Sequence, residues 1–132
     1  MSNLNYDLDK RRYPARQKRG VLRFLYYLRK AQSTNNRIMK KIYRSAMKPY
    51  QKKYGLEISD ELNVGGGLYI GHPYNITINS EVVIGENVNI HKGVTIGQEN
   101  RGKRKGCPVI GNKVWIGVNA TIVGAVMVLE YK

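Results

Sequence analysis

Aliphatic residues recur at six-residue intervals through the C-terminal part of the chain. Ile58, Val64 and Ile70 stand six apart; so do Ile78, Ile84, Ile90 and Ile96, and again Ile110, Ile116, Ile122 and Val128. Simple strand alternation has a period of two and does not select one aliphatic in six. Repeats of this length build a parallel β-helix, in which three short strands form each triangular coil and the repeated aliphatic points into a narrow prism. A second small or aliphatic residue follows four places on, at Leu62, Leu68, Val82, Val88, Val94, Val114 and Ala120. Glycine follows the first aliphatic at Gly65, Gly71, Gly85, Gly97, Gly111 and Gly117, as expected for sharp corners that need a positive φ. The expected fold class is mainly β, a parallel β-helix of about three and a half coils preceded by a short α-helical segment.

Two breaks interrupt the register. Ile70 to Ile78 is eight residues, so two extra residues bulge near Gly71 to Thr77, and Ile96 to Ile110 is fourteen, so a loop of eight is inserted around Gln98 to Pro108. Insertions in a solenoid leave the prism as surface loops, often on the binding face. Candidate chemistry is therefore sought at these two places.

The segment before the repeats has a different grammar. Residues 1–54 hold 16 of the 23 Lys and Arg but only 2 of the 9 acids, while the remainder holds 7 of each. Val21, Leu22, Leu25 and Leu28, then Met39, Ile42, Tyr43 and Met47, fall at helical spacing, which predicts two short amphipathic helices. Gln32 to Asn36 reads as the turn between them, with capping residues for the second. The expected division is a basic helical segment over 1–55 and a β-helix domain over 56–132. The repeats stop soon after Val123-Gly124, so the last coil is expected to be open, as in a truncated relative. A single cysteine, Cys107, excludes an internal disulfide. With no leader and no apolar run long enough to span a bilayer, the expected location is cytoplasmic. The tyrosines among the basic residues lie at helical spacing and are read as packing, so no nucleic acid is expected as partner. A weak attraction to an anionic membrane surface is expected of the basic helices.

Gly67-Leu68-Tyr69-Ile70-Gly71-His72, Ile90-His91-Lys92-Gly93-Val94-Thr95-Ile96-Gly97, and the Lys- and Gly-rich loop ending in Cys107-Pro108-Val109-Ile110-Gly111 together resemble the serine acetyltransferases and the related hexapeptide-repeat acetyltransferases that decorate bacterial surface polysaccharides. The resemblance implies a left-handed parallel β-helix, trimeric assembly, and acetyl-coenzyme A as acyl donor lying between neighbouring prisms. It also implies transfer to a hydroxyl of serine or of a cell-surface sugar in a ternary complex. The family's general base maps onto His72 and its partner acid, fifteen residues earlier, onto Glu57. Where the family carries Asp before the base this chain has Gly71, and where it carries a second His in the long loop this chain has Cys107. Both departures tilt the acceptor toward a glycan. The alternative is a catalytically inactive β-helix kept as an assembly or regulatory subunit.

The residues support that chemistry on their own terms. A hydroxyl attacks a thioester only if a positioned base takes its proton, and imidazole suits this near neutral pH. Ile90 stacks over Ile70, so His91 lies above Gly71 and one diagonal step from His72, about 4.8 Å being the spacing of neighbouring strands. Glu57 would fix the imidazole tautomer. Lys105, in the run Lys103-Arg104-Lys105, is suited to coenzyme phosphates. Gly97 and Gly117 allow a pantetheine arm close approach to the backbone, with Gln98 and Val118 beside them. No metal ligand set is expected, and Cys107 is read as a structural thiol in a Gly-flanked loop. Val83, Val94, Trp115, Val118 and Val123 are expected on outer faces that association around a threefold axis would cover.

Overall fold

The computed structural model describes residues 4–14 and 19–130. Among these residues three helices come first: α1 (Leu4–Arg11), α2 (Arg19–Ser33) and α3 (Arg37–Tyr54). The helical spacing anticipated α2 and α3; α1 was not expected. Asn36 caps α3, its Oδ1 accepting from the N–H groups of Ile38 and Met39 at 2.9 and 3.1 Å. Gly55 ends the helix in a left-handed conformation (φ 64). In α2, Val21, Phe24, Leu25, Leu28 and Ala31 are fully buried at three- and four-residue steps. The buried stripe of α3 is narrower than expected. Met47 is buried and Tyr43, Tyr50 and Tyr54 pack against the core, whereas Ile42 is 51% exposed. The face that α3 turns to α2 and the first strand runs 43, 47, 50, 54, and position 42 lies off it.

Eleven short strands follow among the described residues, three to a coil. The first coil holds β1 (Leu56–Glu57), β2 (Asn63–Val64) and β3 (Tyr69–Gly71), and the second β4 (Ile76–Ile78), β5 (Val83–Ile84) and β6 (Asn89–His91). The third holds β7 (Thr95–Gly97), β8 (Val109–Ile110) and β9 (Trp115–Ile116), and β10 (Thr121–Val123) and β11 (Met127–Val128) begin a fourth. They stack as three parallel sheets: β1-β4-β7-β10 (sheet A), β2-β5-β8-β11 (sheet B) and β3-β6-β9 (sheet C). Partners Thr77↔Thr95 are one eighteen-residue coil apart. Ile70↔Ile90 is two residues longer and Ile90↔Ile116 eight longer, so both register breaks leave the stack undisturbed. The prism is filled by Ile58, Val64, Ile70, Ile78, Ile84, Ile90, Ile96, Ile110 and Ile116, all under 7% exposed.

Two expectations are corrected by this geometry. The glycines that follow the aliphatics are not the positive-φ residues. Those recur instead at Gly67, Asn87 and Lys113 on the B/C edge and at Gly55, Asn75, Gly93 and Asn119 on the C/A edge. Gly65 and Gly85 are required by close approach: a Cβ on Gly65 would lie 2.9 Å from the Gly85 backbone, and one on Gly85 2.8 Å from that of Gly111. Val94 is the second correction. It is fully buried, because the residue four places after each aliphatic turns inward at a corner, as do Leu62, Leu68, Val82, Val88 and Val114. The other expected outer residues are exposed but lie on different sides: Val83 on sheet B, Trp115 on sheet C, Val123 on sheet A and Val118 at the C/A edge.

The first coil has no preceding strand, and its free backbone groups would be a template for wrong pairing. Side chains of the N-terminal segment satisfy them. Arg29 donates to the carbonyls of Val64 and Gly65, both at 2.8 Å, and Asp9 Oδ1 accepts from Leu68 N–H at 2.8 Å. Arg29 and Asp9 are bound to each other at 2.8 and 3.1 Å and are almost wholly buried. Tyr13 Oη donates to the Leu68 carbonyl and accepts from Ile70 N–H at 2.7 Å. The segment acts as the end cap that a solenoid requires.

Candidate active site

His72 sits at the end of β3, where four residues connect Gly71 to Ile76 although only two connect His91 to Val94, the partners of those positions. The two-residue excess makes a tight turn in which the His72 carbonyl accepts from Tyr74 N–H at 2.8 Å. Gly93 N–H bonds the Tyr74 carbonyl at 2.9 Å and Asn75 N–H the Tyr54 carbonyl at 2.8 Å, so the bulge is held by the next coil on one side and by the end of α3 on the other. His72 is exposed with φ 53, and it belongs to neither corner series. A non-glycine residue held there at some cost in backbone energy is a pointer to function.

His91 lies directly beside Gly71, as the stacking of Ile90 on Ile70 predicted. A Cβ on Gly71 would be 2.5 Å from His91 Nδ1, so the imidazole fills the space a side chain at position 71 would need. Tyr69 and Trp115 flank His91, with ring centroids 6.4 and 4.7 Å away. Glu57 is exposed on β1 opposite Thr77. It lines a groove of about 500 Å³ together with Arg44, Lys48 and Gln51 of α3 and with Asp60. Position 57 therefore opens toward the helices, a surrounding that its place in the repeat did not reveal.

The residues expected at the coenzyme divide between two edges of the prism. Gly97 ends β7 and Gln98 follows it on the A/B edge, where a Cβ on Gly97 would meet only Val123 Cγ2, at 4.0 Å, so its outer side is open. Val118 is exposed on the C/A edge, two coils from His72. Gly117 next to it is explained from within: a Cβ there would be 2.9 Å from the Trp115 ring. The inserted loop is an ordered hairpin. Glu99 and Gly106 exchange N–H···O bonds at 3.0 and 2.9 Å, and Ala125 N–H bonds the Arg104 carbonyl at 2.8 Å, leaving Lys103, Arg104 and Lys105 exposed. Cys107 is partly buried at its base; burial pushes the thiol up, with the Glu81 carboxylate adding to the shift. An elevated thiol is a poor nucleophile at neutral pH.

Over 74 residues the chain is 38% identical to a serine acetyltransferase of Helicobacter pylori (strain ATCC 700392 / 26695), covering 56% of this chain and 43% of the relative. Over 72 residues it is 43% identical to the Escherichia coli (strain K12) protein WcaB, named as a colanic acid biosynthesis acetyltransferase, covering 54% and 43%. Both relatives are named as acetyltransferases. No family model matches. Among solved structures, the soybean serine acetyltransferase apoenzyme superposes with a TM-score of 0.74 at 22% identity, covering 94% of this chain and 55% of that one. A serine acetyltransferase in complex with CoA gives 0.72 at 22%, covering 96% and 55%. The shared fold is the left-handed parallel β-helix. The chain spans less than half the length of these curated relatives. No helix among the described residues is long and apolar enough to cross a membrane.

Proposed function

We propose that this chain is an acetyl-coenzyme A-dependent O-acetyltransferase that acts on a hydroxyl in a ternary complex, with His72 as general base. The observation that carries the reading is the placement of His72: exposed, in a pinned bulge, at a left-handed φ outside the corner series. His72 takes the proton of the acceptor hydroxyl as that oxygen attacks the thioester carbonyl. The new C–O bond forms, the C–S bond breaks, and the coenzyme leaves as its thiol. Glu57 orients the imidazole and His91 lies beside the acceptor.

The donor site needs a neighbouring copy. Gly97, Gln98 and the cations of the hairpin, Lys105 among them, stand on the A/B edge, whereas His72, Gly117 and Val118 stand on the C/A edge. One chain cannot offer both to one thioester. Threefold assembly with the A/B edge of one prism against the C/A edge of the next brings the halves together and covers Val118 and Val123. The cations of α3 add a weak attraction to anionic membrane surfaces.

Acetyl-coenzyme A turnover on serine and sugar acceptors tests this. His72→Ala should lose at least about a hundredfold in kcat while still binding the donor; a variant retaining more than a tenth of wild-type activity removes the base assignment. The second reading is an inactive assembly subunit, favoured by the side chain missing at Gly71. Calorimetry decides between them, since folded protein that takes up no acetyl-coenzyme A is not the enzyme.

A further inference from the structure

The outer face of sheet C carries two columns in register. Tyr69, Asn89 and Trp115 form one, and Gly71, His91 and Gly117 the other. Large rings alternate with small residues, so each ring leans over a glycine. The Trp115 ring covers Gly117 and approaches His91, and Tyr69 lies over Gly71. Between the two rings the column drops to Asn89. Its Oδ1 accepts from Arg12 Nη2 at 2.6 Å, which leaves the amide N–H2 as donor. Arg12 also donates from Nη1 to the Gly67 and Val88 carbonyls, and its guanidinium lies 5.6 Å from the Tyr69 centroid. Trp115 is 66% exposed although it is the largest apolar side chain in the protein and its only tryptophan.

We propose that this shelf binds a pyranose ring of the acceptor, with one apolar face of the sugar on Trp115 and its peripheral hydroxyls at Asn89 and His91. The proposal rests on the acetyl-transfer reading above and names its acceptor class as a glycan. A sugar has a face of C–H bonds to lay on an aromatic ring and a rim of hydroxyls for amide and imidazole groups. Free serine has neither. It is a small zwitterion that needs a carboxylate-binding fork and an anion for its ammonium. Three N–H groups of Arg12 are already committed to backbone and Asn89, and the position beside His72 that could carry an acid is Gly71, its space filled by His91. The shelf also has a suitable reach. Trp115 stands two strand spacings, about 10 Å, from the level of β3, on the same sheet face whose edge carries His72, so a chain of linked sugars seated on Trp115 can extend toward the base.

The single tryptophan makes binding readable without turnover. The full-length protein is titrated with methyl glycosides and disaccharides of glucose, galactose, fucose and N-acetylglucosamine, and in parallel with L-serine, following tryptophan emission. At least one saccharide is expected to shift or quench Trp115, and serine to leave it unchanged. Trp115→Ala should lower kcat/KM for that saccharide about tenfold or more with acetyl-coenzyme A affinity within twofold of wild type, and Trp115→Phe should recover part of the loss. Saccharide binding without acetyl transfer would sink the enzymatic reading and leave the shelf standing. Three results overturn the shelf while leaving acetyl transfer intact: no response to any saccharide, acetylation of serine alone, or emission that is buried in the assembled protein and becomes exposed only on dilution to monomers.

Discussion

Replacing Asp9 with alanine strips the cap from the first coil and leaves the Arg29 guanidinium, 1% exposed, with no counter-charge. The variant loses two Arg29–carboxylate contacts, at 2.8 and 3.1 Å, and the 2.8 Å bond from Leu68 N–H. Breaking a buried pair from one side costs about 3–5 kcal/mol, because the surviving charge stays buried. Domains of this size have about 5–15 kcal/mol in total, so the midpoint of thermal unfolding should fall by about 10 °C or more. Far-ultraviolet circular dichroism melts and urea titrations read this, at one fixed protein concentration since assembly contributes to apparent stability. Arg29→Met should cost a similar amount. The double variant should cost about what either single one does, since neither charge then remains uncompensated; the coupling energy then equals one single cost, about 3–5 kcal/mol. Amide exchange at Leu68 should accelerate in Asp9→Ala. A loss below about 1 kcal/mol, or additivity of the two substitutions within about 0.5 kcal/mol, would refute the cap as a coupled buried pair.

Gly71→Ala drives a methyl to within 2.5 Å of His91 Nδ1 and should cost about 1–3 kcal/mol by overpacking; Gly71→Ala with His91→Ala should recover most of it, checked by the same melts. Gly97→Ala meets only Val123, at 4.0 Å; stability should stay within about 0.5 kcal/mol while calorimetry shows weaker acetyl-coenzyme A binding, and unchanged binding would remove Gly97 from the donor site. Burial, with the Glu81 carboxylate adding to it, raises the Cys107 thiol above its ordinary value, so less of it is thiolate at a given pH than for an unperturbed cysteine. Alkylation by iodoacetamide at pH 8 should therefore be slower than for free cysteine, and Cys107→Ser should keep transferase activity.

The period of six told the prism, its register and the stacking of His91 on Gly71, because each is a consequence of translation along one axis. Cap residues with local chemistry were also legible: Asn36 precedes α3 and its side chain bonds two N–H groups within three residues. What escaped depends on partners distant in sequence. Asp9 is one of two acids in a strongly basic stretch, a signal in hindsight, yet its partners are Arg29 and Leu68, 20 and 59 residues away. The glycines were seen but misexplained, since a missing Cβ relieves contact with the next coil as readily as it frees φ. Trp115 was read as part of an outer face that threefold association would cover, because nothing local indicates that its ring folds over Gly117 toward His91. Glu57 kept its spacing from His72, but the groove it shares with α3 comes from the docking of the helix, which no repeat encodes.

Cap and shelf are one continuous structure. Asp9 holds Leu68, Tyr13 holds Leu68 and Ile70 and lies 4.9 Å from the Tyr69 ring, and Arg12 between them reaches Gly67, Val88 and Asn89. These positions lie in or immediately before β3 and β6, adjacent rungs of sheet C, and the last of them carries a proposed sugar contact. A five-residue stretch, Asp9 to Tyr13, thus closes the end of the prism and sets the polar rim beside His91 and His72. Loosening it has two separable consequences. Asp9→Ala lowers stability and, through Arg12, also weakens acceptor binding. Arg12→Ala, which leaves the Asp9–Arg29 pair in place, should raise KM for the acceptor more than it lowers the melting midpoint. An Arg12→Ala protein with an unchanged KM would separate the cap from the site and leave the basic segment a structural role alone.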